Sequence, residues 1–397
     1  MHAEPAPGPW LRLTALGAVA AVLVAVVSGA AGLGTAHQVL AALALPPLVA
    51  VAVAALLEYR RLVVPAFLSL GLFGLAALLT EPGLHLAAAA GALAATCVTA
   101  ALTFRGEPVP SGPWRDYVTL TKPRIMTLLL LTGAGGMFVG EEGVPPLGLF
   151  VATMTGLALA CGGASALNHM LDRDIDVLMG KRTEKRPVAA GRVSAPHALE
   201  FGLALMAFSF TLLAGTVNLL TATLALIGGL FYVLVYTRML KRSTSQNIVI
   251  GGAAGAVPPL VGYAAATGDL TLTAIWLFLI VFFWTPPHFW ALALLIKENY
   301  AAAKVPMLPV VRGERETVRQ ILLYSYVLIA ISLVPYLLGW MGLVYAVAAI
   351  GLGGGFVALA WHLARHATPK RASLLFHYSL LYLALLFVAM AVDAVVA

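Results

Sequence analysis

The stretch Asn168-His169-Met170-Leu171-Asp172-Arg173-Asp174-Ile175-Asp176 decides how this chain is read, because it places a polar cluster at the end of a membrane span. The run before it, Leu147 to Leu167, is apolar and long enough to cross a bilayer. On a helix, Asn168, Asp172 and Asp176 fall at i, i+4 and i+8 and share one face over about 12 Å. A carboxylate at the membrane centre costs about 2.5–3.5 kcal/mol on insertion scales, and less toward the ends. Grouping acids adds repulsion unless a cation sits among them. An Asn oxygen with carboxylates is a hard-oxygen set suited to Mg2+, which keeps waters and shares its remaining positions with phosphate. The spacing therefore predicts a Mg2+–diphosphate site at Asn168, Asp172 and Asp176. A solvated acidic turn would suit a lone Asp, but it leaves the regular spacing and the basic run that follows unexplained.

Of the 397 residues, 61% are hydrophobic and 10% charged, more apolar surface than a soluble core can hide. Long apolar runs indicate an all-α polytopic membrane protein rather than a barrel. The net charge of +7 concentrates in short loops, which points to membrane topology and away from nucleic acid. Cys97 and Cys161 lie in separate apolar runs, which argues against a disulfide, a zinc site or an iron–sulfur centre. The first apolar stretch, from Leu11 to about Leu33, is longer than a signal-peptide core and reads as a retained span.

About thirteen spans are expected. Four lie in residues 1–115, near 11–33, 38–57, 62–80 and 84–104, ahead of the polar linker Arg105 to Arg115. Nine lie in 116–397, near 119–140, 147–170, 197–216, 219–237, 248–266, 272–295, 320–339, 342–364 and 374–395. Lys and Arg sort to alternate loops, so the positive-inside rule puts the basic loops and the N-terminus in the cytoplasm and the C-terminus outside. The densest basic loop, Gly180-Lys181-Arg182-Thr183-Glu184-Lys185-Arg186-Pro187, directly follows the acid ladder. A second loop carries Arg238, Lys241 and Arg242, with Asn247 soon after; a third carries Lys297 and Lys304. Cations so placed would hold a diphosphate and stabilise it as it leaves.

Trp284-Thr285-Pro286-Pro287-His288-Phe289-Trp290 should kink its span, since each proline removes a backbone donor. His288 within it is a candidate substrate contact. His169 is open between touching a substrate and pointing into a neighbouring loop. His197, His362, His366 and His377 read as interfacial. Gly251-Gly252-Ala253-Ala254-Gly255-Ala256 permits close helix contact, and Pro258-Pro259 could bend that span.

Leu120-Thr121-Lys122-Pro123-Arg124, Asn168 to Asp176, Glu184-Lys185-Arg186-Pro187, Tyr236-Thr237 with Lys241-Arg242, Asn247 to Gly252, Trp284 to Trp290 and Pro306-Met307-Leu308-Pro309-Val310-Val311 occur in family order. With them the chain resembles the UbiA-type intramembrane prenyltransferases, and most closely the branch that farnesylates heme. The resemblance implies a nine-helix bundle, preceded here by about four extra helices, around a cavity that opens toward the lipid. It implies Mg2+, with farnesyl diphosphate and heme b as substrates, and transfer of the farnesyl group to a heme vinyl group with addition of water. In that picture Asn168, Asp172 and Asp176 hold Mg2+. Lys122, Arg124, Arg182, Lys185, Arg186, Lys241 and Arg242 neutralise phosphate, helped by Lys297 and Lys304. Tyr236, Asn247, Trp284, His288 and Trp290 line the substrate pocket. The resemblance further implies a plasma-membrane enzyme whose site faces the cytoplasm.

Two departures stand out. The second acidic motif of the superfamily is reduced to Lys297-Glu298-Asn299-Tyr300, leaving Glu298 alone for a second metal. Residues 1–115 lie outside the family core and read as a scaffold or partner segment. A sharper reading takes His37 and His85 as heme ligands, as in half of a heme A synthase, with that enzyme as a partner. Two other functions compete: a UbiA-type enzyme acting on a quinone precursor or another aromatic acceptor, and a non-enzymatic heme transporter or scaffold.

Overall fold

Apolar runs of this length can satisfy their backbone groups within a bilayer only as helices, and helices are what form. The computed structural model describes residues 7–30, 34–79, 82–103, 112–181 and 183–396. Thirteen helices among them are long and apolar enough to cross a membrane. The first four are α1 (Pro9–Ala30), α2 (Thr35–Glu58), α3 (Arg60–Leu78) and α4 (Pro82–Thr103). They close on themselves, α1 packing on α2 and α4, and α3 on α2 and α4. Residues 104–111, where the expected linker begins, lie outside the described residues.

The second unit begins with the short helix α5 (Trp114–Leu120), followed by α6 (Pro123–Glu141), α7 (Leu147–Leu171), α8 (Arg173–Leu178), α9 (Ala195–Thr216) and α10 (Leu219–Leu230). A π-helical segment, Phe231–Leu240, runs on into α11 (Lys241–Ser243). Then come α12 (Asn247–Thr267), α13 (Leu272–Leu295), α14 (Lys297–Ala302), α15 (Leu308–Val311), α16 (Gly313–Leu337), α17 (Leu343–Arg365) and α18 (Pro369–Val396). The spans form a ring: α6 on α7, then α9, α10, α12, α13, α16, α17 and α18, which returns to α6. Across it α12 packs directly on α6. At that crossing a Cβ on Gly262 would lie 1.8 Å from the Gly133 carbonyl oxygen, so only hydrogen fits there. The helices that contain Pro258-Pro259 and Pro286-Pro287 run through each pair without a break in the helix. Prolines are tolerable inside a span where neighbouring helices, hydroxyl side chains or local adjustments re-satisfy the carbonyls they free.

A buried carboxylate joins the two units. Glu200 of α9 accepts hydrogen bonds from the Gly8 N–H at 2.9 Å, the Leu11 N–H at 3.4 Å and the Tyr59 hydroxyl. It thereby caps the N-terminus of α1, where unsatisfied amides and the helix dipole favour an anion. His197, expected at an interface, is buried beside this contact.

Candidate active site

The predicted ladder survives a change of helix. α7 ends at Leu171, and Asp172 is the joint before α8. The i→i−4 pattern nevertheless continues, from the Asp172 N–H to the Asn168 carbonyl at 2.9 Å and from the Asp176 N–H to the Asp172 carbonyl at 2.8 Å. Asn168 Nδ2 donates to Asp172 Oδ2 at 2.8 Å, which places both side chains on one face. All three residues are buried.

Three cations converge on this face from three loops. Lys122 precedes α6 in the left-handed conformation, φ 51° and ψ 60°, a backbone that costs a non-glycine residue about 1–3 kcal/mol. The Ser165 hydroxyl of α7 pins that turn by donating to the Leu120 carbonyl at 2.7 Å. So held, Lys122 Nζ donates to Asn168 Oδ1 at 2.7 Å. The Lys241 ammonium reaches Asp172 Oδ2 at 2.5 Å, and Arg186 reaches Asp176 Oδ1 at 2.7 Å. Burial, with like charge from Arg186 and Lys241, pulls the Lys122 ammonium down to about 7 against Asp172 and Asp176. Burial likewise raises the Asp176 carboxyl, opposed mainly by Arg186.

The π-helical segment supplies the partner that sequence reading missed. Its wide turn brings the Thr237 hydroxyl to within 3.0 Å of Asn168 Nδ2, next to Lys241. Such segments are rare and concentrate at functional sites. No compositional cue marks this one; its only sequence trace is the Tyr236-Thr237 pair. Tyr236 stacks on Tyr232, with ring centroids 5.5 Å apart, and its ring lies against Gly251.

The donor set fits a hard divalent cation. Asp172 Oδ1 and Asp176 Oδ2 are buried and have no hydrogen-bond partner, while their sister oxygens are held by Lys241 and Arg186. With Lys122 protonated, two carboxylates against three cations leave one net positive charge. One Mg2+ raises it to three, which matches a diphosphate ester carrying about three negative charges. Among the described residues no cluster of three or more His, Cys, Asp or Glu forms.

Other predicted residues stand apart. Arg242 is engaged by Asp174 through two 2.7 Å bonds. Lys297 pairs with Glu314 at 2.9 Å. Arg124, Lys185, Lys304 and Glu298 are exposed, and Arg182 lies outside the described residues. Asn299, in the reduced second motif, donates to the Met179 carbonyl at 2.7 Å and ties its loop to the end of α8. His169 is buried with neither ring nitrogen partnered, and so are both amide atoms of Asn247. Deeper in the bundle, His288 stacks between Trp284 and Phe376, at 4.3 and 4.8 Å between centroids. Trp290 is buried edge-on to Tyr324. In the N-terminal unit, His37 and His85 do meet, their centroids 5.7 Å apart.

The chain is 56% identical over 281 residues to a protoheme IX farnesyltransferase of Symbiobacterium thermophilum, covering 70% of this chain and 94% of that protein. It is 51% identical over 284 residues to protoheme IX farnesyltransferase 1 of Pseudomonas fluorescens, covering 72% and 94%. The corresponding figures for a Thermus thermophilus protoheme IX farnesyltransferase are 53% over 295 residues, with 73% of this chain but only 48% of that longer protein covered. Among solved structures, digeranylgeranylglyceryl phosphate synthase superposes with a TM-score of 0.60 at 17% identity, over 71% of this chain and 98% of that one. A UbiA homolog from Archaeoglobus fulgidus bound to GPP and Mg2+ superposes with a TM-score of 0.50 at 16% identity, over 69% and 99%. These likenesses show the fold. Residues 129–388 match the profile of the UbiA prenyltransferase family, and with the ring of spans and the relatives above, the chain belongs to that family.

Proposed function

We propose that this chain transfers the farnesyl group of farnesyl diphosphate to a vinyl group of heme b, with addition of water, at a Mg2+-dependent site on the cytoplasmic side of the plasma membrane. The observation that carries the reading is the pair of buried, unpartnered oxygens, Asp172 Oδ1 and Asp176 Oδ2, amid Lys122, Lys241 and Arg186. That arrangement suits an anion bound through a divalent cation and the adjacent ammonium and guanidinium groups. The acceptor comes from the relatives: two named protoheme IX farnesyltransferase are covered over 94% of their length at more than half identity. The cytoplasmic placement follows from the sorting of Lys and Arg among the loops.

When bound, Mg2+ supplies Lewis-acid neutralisation of the leaving diphosphate. The protein groups supply the rest. Lys122, Lys241 and Arg186 stabilise the charge that develops as the C1–oxygen bond of the prenyl chain breaks. Asn168, bonded to Lys122, Asp172 and Thr237 at once, fixes the spacing of the cluster. Tyr232 and Tyr236, stacked beside Thr237, offer aromatic faces to an allylic cation and keep water from it early. C1 then bonds to the terminal vinyl carbon, and the cation left beside the porphyrin takes hydroxide from water, whose proton is released. The N-terminal four-helix unit serves as a scaffold, held to the catalytic ring through Glu200.

The test is incubation of purified protein with heme b, farnesyl diphosphate and Mg2+, with mass spectrometry of the heme. A Mg2+-dependent hydroxyethylfarnesyl heme is expected. Consumption of farnesyl diphosphate with heme unchanged would retain the prenyl site and remove heme as the acceptor.

A further inference from the structure

His288 is held in a way that its stacking alone does not explain. Its ring lies between Trp284, with planes 16° apart, and Phe376, with planes 21° apart, and Phe289 closes on it edge-on at 5.3 Å. Ser379 of α18, fully buried, touches both members of the Trp284–His288 stack. Its carbonyl accepts from Trp284 Nε1 at 2.8 Å, and its Oγ lies 2.6 Å from His288 Nδ1.

The direction of that last bond follows from proton counting. Ser379 Oγ also lies 2.6 Å from the Phe376 carbonyl, which can only accept. A hydroxyl has one proton. With that proton directed to Phe376, the Nδ1 contact is an Nδ1–H donating to Ser379 Oγ. The imidazole is then the Nδ1–H tautomer, with its lone pair on Nε2. Nε2 makes no hydrogen bond among the described residues, and it is not sealed off as the two ring nitrogens of His169 are.

We propose that Ser379 is a positioning residue that fixes the tautomer and plane of His288, so that His288 Nε2 binds the iron of the porphyrin acceptor. This rests on the heme reading given above. A metal-bound histidine nearly always donates its other ring N–H to an oxygen that orients it, and histidine is a common axial ligand of heme iron. The indole and phenyl rings lie nearly parallel to the imidazole, so their apolar edges flank the side on which Nε2 would meet a porphyrin lying across the ring plane. Ligation would anchor the acceptor by its centre and leave the vinyl groups at the periphery free to meet the prenyl chain. Through its i−3 bond to Phe376, Ser379 also ties the second stacking ring to the same point.

The experiment is a heme b titration of the full chain in which His37 and His85 are both replaced by alanine, so that the N-terminal imidazoles contribute no signal. The readout is the iron–histidine stretching band of the ferrous complex. The band is expected in that background, lost on adding His288→Ala and restored by free imidazole. Ser379→Ala should keep heme bound, about tenfold more weakly, with the band shifted and kcat lowered at unchanged KM for farnesyl diphosphate. Ser379→Thr, which keeps the hydroxyl, should restore both. Binding of farnesyl diphosphate to each variant verifies folding. A band that persists in His288→Ala, or is unmoved by Ser379→Ala, overturns the proposal. Heme binding with no histidine band overturns it while leaving the acceptor reading intact. Absence of any heme binding by the unaltered protein removes that reading and this inference together.

Discussion

Asp172 and Asp174 are two positions apart, yet the first is fully buried on Lys241 and the second stands in solvent on Arg242. Asp172→Asn should lower kcat by about a thousandfold, roughly 4 kcal/mol of transition-state stabilisation. Farnesyl diphosphate consumption measures this, and near-normal turnover would remove Asp172 from the site. Asp174 is 62% exposed, and its hydrogen bonds to Arg242 hold its carboxyl down at about 2. A folded value below the ordinary 3.8 means the stabilisation is complete above that pH and disappears as pH falls toward 2. Solvent screening limits the pair to about 0.2–1 kcal/mol. Asp174→Asn should therefore leave activity within about twofold and flatten only the acid limb of a thermal stability profile. A large loss of activity at neutral pH would show that Arg242 needs Asp174 in order to act on the diphosphate.

At the scale of elements, spans were legible because length and hydropathy suffice for them. The nine spans expected from residue 116 onward are the nine that form the ring. Their local irregularities were not. The π-helical turn at Phe231–Leu240 and the left-handed Lys122 carry no compositional mark, because neighbours impose them rather than local propensity. The α6–α12 crossing is equally tertiary. Gly262→Ala would drive a methyl group into the Gly133 carbonyl and should cost more than about 2 kcal/mol, in the upper range for overpacking. Gly148→Ala meets nothing within 4 Å and should be neutral or slightly stabilising. Thermal unfolding in detergent compares the two, and equal midpoints would contradict the crossing.

At the scale of the whole molecule, Glu200 is the joint between two helical units. Glu200→Ala would leave the Gly8 and Leu11 amides and the Tyr59 hydroxyl without their acceptor, at about 1–3 kcal/mol for each group that stays buried. The expected outcome is earlier loss of hydrogen-exchange protection in α1 and α2 than in α12 and α13, with prenyl transfer retained at low temperature. Uniform protection across all four helices would show that apolar packing of α2 on α9 suffices to join the units.

Membrane class, the number of spans, the acid ladder and the basic loops around it are all legible along the chain. Each of these depends on hydropathy, charge and a spacing of three or four residues, all local to the chain. Which cations reach the ladder depends on how the helices pack. Lys122, Arg186 and Lys241 reach Asn168, Asp176 and Asp172, while Arg242 and Lys297 are taken by Asp174 and Glu314. The same packing joins Ser379 to His288 across 91 residues, and Glu200 to Gly8 across 192. Such pairings depend on how helices close into a ring, and no window along the chain contains both partners.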